Sequence, residues 1–170
     1  MSKRIEPTEV ITEGVSEREA SCAGEYISNH GDLMVDVERT TILSRKITVS
    51  SKLNDAERDR IADAIRAVDP MIGICFANAL RVWEHDSAFG YVEGYAAADD
   101  LGEWVLEHAW NTLNGKLVDI TTEFDAFYGV VISDDSVLST YHDIGVEADV
   151  WGIIGNHHDK YDFLRKRGYL

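Results

Sequence analysis

The fold is decided by residues 106–121, which read LEHAWNTLNGKLVDIT. Asn114-Gly115 at the centre is typical of a two-residue type I′ turn, because both central residues of that turn need a positive φ. The segments on either side, 106–113 and 116–121, have the composition of β-strands. The sequence therefore predicts an antiparallel hairpin whose register is set by its turn.

This register predicts that four side chains share one face of the hairpin. Counted outward from the turn, Trp110 lies opposite Asp119, and His108 lies opposite Thr121. Asp119 is then the diagonal neighbour of His108, at a backbone separation of about 7–8 Å that a carboxylate and an imidazole can bridge. The pair has two interpretations: a histidine base oriented by an aspartate, or an ordinary polar pair on a hairpin surface.

Upstream of the hairpin, Cys75 begins a predicted helix. Residues of a buried helix face follow it at helical spacing, at Phe76, Ala79, Leu80 and Trp83. The N-terminus of a helix favours a thiolate because its unpaired N–H groups and its dipole attract negative charge. Cys75 is therefore the candidate nucleophile, and its own N–H is a candidate donor to an oxyanion. The alternative is that this cysteine is only a small buried hydrophobic residue.

The rest of the chain predicts the other elements of an α+β fold. Asn54 and Glu57 form a capping-box pattern that begins a helix. The predicted elements besides the hairpin are one or two strands within 33–49, a helix over 55–68, strands over 89–96 and 127–132, and a short closing helix over 159–167. We expect the helix that begins at Cys75 to pack on the antiparallel sheet that these strands form.

The length and composition predict one domain with an N-terminal extension. With 170 residues and 45% hydrophobic content, the chain can bury one core without metals or disulfides. We expect residues 33–170 to form that domain. Residues 1–32 have no sustained period, and we expect them to be a flexible arm or an irregular lead-in.

The chain is strongly acidic. Its 31 acidic and 16 basic residues give a net charge of −15, which disfavours binding to nucleic acid and to anionic membranes. No apolar stretch approaches the roughly 18 residues of a membrane span, and residues 1–7 lack the apolar run of a secretory signal. We therefore expect a soluble cytoplasmic protein. Its composition resembles that of proteins from halophilic microbes, or is that of an ordinary acidic protein.

No metal site or other cofactor is predicted. The histidines at His142, His157 and His158 lack the usual spacings of zinc ligands. Cys22 and Cys75 are not spaced in a way that indicates a disulfide. A redox-sensing thiol would need these two cysteines close together, and the spacing gives no support for that pairing.

Three further residues are candidates for positioning a substrate. Asn78 lies one helical turn after Cys75, where it either positions a carbonyl or makes a local hydrogen bond. Glu93 shares a strand face with Tyr91, and it contacts substrate, faces solvent or pairs with an arginine. Trp110 is interpreted as an aromatic residue of the core or of a pocket wall.

Four short motifs follow one another within residues 71–121: Gly73-Ile74-Cys75 with Ala79, Tyr91-Val92-Glu93-Gly94-Tyr95, His108-Ala109-Trp110, and Val118-Asp119-Ile120-Thr121. Their order and spacing resemble those of the transglutaminase-like superfamily. Members of that superfamily share a papain-like core and active-site residues in the order Cys, His, Asp.

The resemblance implies that Cys75 is the nucleophile, His108 the base and Asp119 the residue that orients the imidazole. It also implies acyl transfer through a thioester, by an amide or peptide-bond hydrolase or a transglutaminase-like acyltransferase. The substrate would be a protein or peptide-like amide, and no cofactor would be needed. Two features depart from the family: Ile120 stands where proline usually follows the aspartate, and the large flanking domains of animal crosslinking enzymes are missing.

A second hypothesis is a catalytically silent binding or assembly module that retains this fold. Such a module would belong to a halophilic viral or other large particle, and would contact a protein partner through its N-terminal arm or acidic surface. A fully buried and unreactive Cys75 favours this hypothesis. A solvent-reachable thiol beside His108 favours the enzyme.

Overall fold

The computed structural model describes residues 6–18, 27–102, 104–133, 135 and 138. These residues form a mixed α+β fold, as predicted. The elements in chain order are α1 (Pro7–Arg18), β1 (Asp32–Met34), β2 (Glu38–Ile42), β3 (Arg45–Val49), α2 (Asp55–Val68), α3 (Cys75–His85), β4 (Phe89–Ala97), a 3-10 helix (Asp99–Leu101), β5 (Leu106–Leu113), β6 (Lys116–Asp119) and β7 (Ala126–Ile132). Cys22, His142, His157, His158 and the predicted helix over 159–167 lie outside the described residues.

The described strands form one seven-stranded antiparallel sheet, in the order β1-β7-β4-β5-β6-β3-β2. Strand β4 pairs with β5 on one side and with β7 on the other. The segment 33–49, predicted to hold one or two strands, provides most of β1 and the whole hairpin of β2 and β3. The predicted hairpin of β5 and β6 lies between β4 and β3.

The turn of that hairpin has the predicted conformation. Asn114 and Gly115 have φ values of 51° and 76°, as a type I′ turn requires. The residue pairs next to the turn are also those predicted, namely Leu113 with Lys116, Thr112 with Leu117 and Asn111 with Val118. Local turn chemistry is therefore sufficient to set the register of these two strands.

The ladder between β5 and β6 ends earlier than predicted. Its last pair contains Val118, and β6 itself ends at Asp119. Among the described strands, Asp119 pairs only with Thr48 of β3, the neighbour of β6 on its other side. The predicted continuation, with Trp110 opposite Asp119, is not part of the ladder.

Helices α1 and α3 pack on the same face of the sheet. Ile11 of α1 and Leu80 of α3 are fully buried in one core cluster with Tyr95 of β4 and Ala109 of β5. Trp110, the next residue of β5, belongs to a different cluster, because successive side chains of a strand point to opposite faces. The expected packing of α3 on an antiparallel sheet is confirmed.

Helix α1 lies in the segment that the sequence pattern leaves as an arm or irregular lead-in. It begins at Pro7, whose fixed φ suits the first helical position. Val10, Ile11 and Val15 are buried, in contacts that α1 makes with β4 and β7. These few apolar residues give no sustained period, so the pattern does not reveal the helix. The expectation of an arm is therefore corrected for residues 7–18, which pack on the sheet.

Helix α2 begins with the predicted capping box and is bonded to the hairpin turn. The N–H of Glu57 donates to Asn54 Oδ1, and the N–H of Asn54 donates to Glu57 Oε2, both at 2.9 Å. The buried Glu57 carboxylate also accepts from Lys116 Nζ at 2.7 Å and Asn114 Nδ2 at 3.0 Å. The bond from Lys116, then those from Asn114 and Asn54, lower the pKa of Glu57 from 4.5 to about 2.

The described residues contain neither a membrane-spanning helix nor a metal-binding cluster. None of the helices in these ranges has the combination of length and apolarity that a bilayer crossing requires. Within the same ranges, no group of three or more His, Cys, Asp and Glu side chains is arranged to hold a metal ion.

We expect Glu57→Gln to lower the free energy of unfolding by an amount that depends on pH. The folded-state pKa of Glu57 lies below its unfolded value, so its contribution to stability is present above pH 4.5 and is lost as the pH falls through about 2. Urea unfolding of both proteins at constant ionic strength measures this. The difference between wild type and variant should be largest above pH 4.5 and shrink towards pH 2.

Asp55→Asn is the matched control, because Asp55 is an exposed acid in the same first turn of α2. This control should change the free energy of unfolding less than Glu57→Gln at neutral pH. A Glu57→Gln difference that did not vary between neutral pH and about pH 2 would contradict the role given to the carboxylate.

Candidate active site

Cys75 is the first residue of α3, as predicted. Gly73 precedes it with a φ of 88°, a conformation that residues other than glycine adopt with strain. The N-cap, Ile74, makes no side-chain hydrogen bond to the first turn. No N-cap side chain therefore competes for the first-turn N–H groups, which lie where a substrate oxyanion next to the Cys75 sulfur could accept from them.

The Cys75 side chain is half-buried. The two residues at the start of its loop are exposed, Met71 by 57% and Ile72 by 83%. An apolar, solvent-facing segment thus leads directly to the thiol. A solvent-reachable thiol is one of the two features that favour an enzyme over a silent module; the other is a position beside His108.

His108 projects from β5 on the face opposite to α1, in a surrounding of aromatic rings. Its ring lies 5.9 Å from the Trp110 ring in a stacked arrangement, 4.7 Å from Phe124 in an edge arrangement and 6.3 Å from Phe127. We call Trp110, Phe124 and Phe127 the aromatic cluster. Because His108 is only 3% exposed, these rings hold the imidazole plane in a largely dry environment.

His108 Nε2 lies 2.6 Å from Asp119 Oδ2. Both side chains are buried, so the interpretation as a polar pair on a hairpin surface is wrong. Asp119 Oδ1 accepts from the N–H of Thr121 at 2.8 Å and, less closely, from that of Thr122. Both carboxylate oxygens are therefore fixed, and the bond to Nε2 leaves Nδ1 as the imidazole nitrogen that can serve the thiol.

The side chain of Cys75 lies close enough to His108 to affect the pKa of the imidazole. Burial lowers the pKa of His108, but the charge of Asp119, its hydrogen bond, and the hydrogen bond and charge of Cys75 oppose this. Together they raise the pKa from 6.5 to about 10. At neutral pH the imidazole is therefore a cation paired with the Asp119 carboxylate. The structure brings Cys75, His108 and Asp119 together.

Two glycines make room for these side chains on the sheet. Gly94 of β4 lies opposite His108, and it pairs on its other side with Gly129 of β7. A Cβ at Gly129 would overlap the ring of Trp110, and a Cβ at Gly94 would overlap the backbone of β7. The position of Trp110 thus depends on Gly129, and the close approach of β4 and β7 depends on Gly94. The sequence pattern identifies neither glycine.

The three candidates for substrate positioning, Asn78, Glu93 and Trp110, all contact other residues of the protein. Asn78 is fully buried, and its amide bonds to Met71 and Thr121. Glu93 is also buried and accepts from Tyr91 Oη at 2.5 Å. It lies next to Gly94 in β4 and therefore points away from His108, and it does not face solvent. Of the three, only Trp110 faces the site, where it packs on the imidazole.

Several residues of the site were not found from the sequence. Phe124 and Phe127 surround the imidazole, and the N–H of Thr121 fixes Asp119. Thr121 and Phe124 lie in the loop between β6 and β7, and Phe127 is the second residue of β7. Only the position of Thr121 two residues after the aspartate was visible as a signal, since Asp side chains often accept from the N–H two residues later.

The chain matches no protein-family model, no curated protein and no solved structure. The resemblance to the transglutaminase-like superfamily therefore stays a prediction drawn from the residues themselves.

Proposed function

We propose that this protein is a cysteine-dependent acyl-transfer enzyme that acts on amide bonds through a thioester at Cys75. The observation that carries the proposal is the buried bond between Asp119 and His108, together with Cys75 close to that imidazole at an uncapped helix start. An N-cap without a side-chain bond, an imidazolium and an orienting carboxylate are the three features that activate a thiol and stabilise an oxyanion. We further propose that the core is papain-like.

In the first half of the reaction, the Cys75 thiolate attacks the carbonyl carbon of the amide and a C–S bond forms. The carbonyl oxygen becomes an oxyanion, which accepts from the N–H of Cys75 and its neighbours in the first turn of α3. His108 then gives its proton to the amide nitrogen. The C–N bond breaks, the amine leaves, and a thioester and a neutral imidazole remain.

In the second half, the neutral His108 takes a proton from water or from an amine. The oxygen or nitrogen attacks the thioester carbonyl, the C–S bond breaks and Cys75 returns as a thiolate. The product is a carboxylic acid or a new amide, and the imidazolium is restored. Asp119 holds the imidazole tautomer and stabilises its cation in both halves.

The substrate class is a protein or peptide-like amide. The exposed Met71 and Ile72, in the loop that leads into Cys75, offer apolar surface to such a chain. The net charge of −15 favours neutral or cationic substrates over anionic ones. No ligand beyond the three side chains and the backbone N–H groups is needed for the reaction.

The alternative, a silent binding or assembly module, has less support. A half-buried thiol close to an imidazole is not the fully buried cysteine that a silent module would keep. Residues 7–18, which would belong to a contact-making arm, are packed on the sheet as α1. The acidic surface stays available for partners under either hypothesis.

We expect His108→Ala to slow alkylation of Cys75 by iodoacetamide at about pH 6 by roughly tenfold or more, because the imidazolium that stabilises the thiolate is removed. Asp119→Asn should slow it in the same direction, since the carboxylate that holds the imidazolium is lost. Mass spectrometry of the Cys75 peptide measures the rate separately from that of Cys22. His85→Ala, which removes an exposed histidine at the other end of α3, should leave the rate unchanged. Equal rates in wild type and His108→Ala would refute the activated thiol.

We expect wild type, and not Cys75→Ala, to form a covalent acyl-enzyme with p-nitrophenyl acetate. Removal of the nucleophile should reduce the burst of p-nitrophenol by at least about a hundredfold, because attack by the thiolate precedes release. Added methylamine decides the acceptor: N-methylacetamide indicates acyl transfer, and acetate alone indicates hydrolysis. A Cys75→Ala protein that stayed as active as wild type would disprove thioester chemistry at this residue.

The pKa of His108 predicts how stability varies with pH. The folded value, about 10, lies above the unfolded value of 6.5. The contribution of the protonated imidazole is therefore complete below pH 6.5 and is lost as the pH rises through about 10. Urea unfolding of wild type and His108→Gln at several pH values should show a difference in unfolding free energy that falls across this window. A difference that is flat from neutral pH to above pH 10 would show that His108 is neutral in the folded protein.

A further inference from the structure

We infer that Arg45 and Asn78 are positioning residues that hold Cys75 against the pair of His108 and Asp119. This inference rests on the proposed function, because it assigns a role in placing the same thiol. The evidence is a set of hydrogen bonds that join the segment 70–71, which leads into Cys75, to the segment 120–121, which follows Asp119. We call these bonds the clamp.

Asn78 forms one half of the clamp from within α3. Its Nδ2 donates to the Met71 carbonyl at 2.7 Å and to Thr121 Oγ1 at 3.0 Å, and its Oδ1 accepts from the Met71 N–H at 3.3 Å. Thr121 in turn donates its own N–H to Asp119 Oδ1. One buried amide thus connects the loop before the nucleophile to the residue that fixes the carboxylate.

Arg45, at the start of β3, forms the other half. Its Nη2 donates to the Pro70 carbonyl at 2.6 Å, and its Nη1 donates to the Ile120 carbonyl at 3.1 Å. The planar guanidinium holds two donors at a fixed separation, which a lysine cannot do. The two carbonyls therefore stay at a set distance from each other.

The loop before Cys75 has little packing of its own. Met71 and Ile72 are exposed, and the position of a Cβ at Gly73 would meet no atom within 4 Å. Because residues 71–73 add little packing between the buried Pro70 and the core-packed Ile74, we infer that the hydrogen bonds of the clamp help to set where α3 begins relative to Asp119. A displacement of about 1 Å at a reacting group can cost roughly a hundredfold in rate, so such bonds have a direct effect on the proposed reaction.

The test compares Arg45→Ala and Asn78→Ala with two matched controls in the full-length chain. Arg58 also donates from two guanidinium nitrogens, to Thr40 Oγ1 at 3.2 Å and the Thr41 carbonyl at 2.8 Å. Asn111 is a buried amide that donates to the carbonyls of Ala79 and Gly90 at 2.9 and 3.0 Å. Neither control contacts the segments joined by the clamp.

The readout is the rate of Cys75 alkylation by iodoacetamide as a function of pH, on samples whose thermal unfolding shows that they are folded. Arg45→Ala and Asn78→Ala should slow alkylation at about pH 6 by roughly tenfold or more. Arg58→Ala and Asn111→Ala should stay within about twofold of wild type even where they lower stability as much, because they leave the thiol and imidazolium in contact.

Substitutions of Thr121 provide a finer comparison, which remains possible even if the alanine variants do not fold. Thr121→Val has nearly the same shape and removes only the hydroxyl that accepts from Asn78, and it should also slow alkylation at low pH. Thr121→Ser keeps the hydroxyl and should restore the rate.

The outcomes separate the two proposals. If His108→Ala slows alkylation but the Arg45, Asn78 and Thr121→Val variants all react like wild type, the clamp inference is overturned and the proposed function stands. If the controls slow alkylation as much as the clamp variants, the effect is general loss of structure and the inference is also overturned. If His108→Ala itself has no effect, there is no activated thiol to position and both proposals fail.

Discussion

The buried hydrogen bond between His108 and Asp119 is the interaction on which the rest of the site depends. Taking an imidazolium and a carboxylate out of water costs several kcal/mol for each ion unless both are paired and hydrogen-bonded. The two side chains are 3% and 1% exposed, so each polar atom needs a partner within the protein. Thr121 supplies a second partner for Asp119 through its N–H. Loss of His108 or of Asp119 leaves the other buried charge unpaired.

This requirement explains features of the sheet that have no direct part in chemistry. The ring of Trp110, which stacks on the imidazole, needs a close surface beneath it, and Gly129 provides this without a competing side chain. The rings of Trp110 and Phe127 then pack at 5.1 Å from each other and exclude water around the ion pair. Exclusion of water strengthens the attraction between His108 and Asp119 and makes the pair intolerant of disruption.

Features that depend on residues close together in the chain could be predicted from the sequence, and features that depend on distant residues could not. The Asn114-Gly115 turn and the capping box of Asn54 depend on neighbours in the chain, and both were predicted. Helix α1 and the burial of Glu93 depend on distant packing, and they were not. Arg45 contacts a carbonyl that is 75 residues away in the chain, so no local pattern could mark it. The α+β class was predictable because strand and helix periods are local properties.

The predicted hairpin is wrong at the candidate site, where β6 ends at Asp119 and not at Thr121. The early end of this strand also explains how the Asp119 carboxylate is held. If β6 continued past Asp119 alongside β3, the N–H of Thr121 would point toward β3 and be in line to bond to that strand. Because β6 ends at Asp119, that N–H is free to donate to Asp119 Oδ1 instead. Asp119 can then bond to His108 while its backbone pairs with Thr48. Ideal strand pairing and a fixed carboxylate are therefore alternatives at this position, and a departure from local rules is where a functional site is expected.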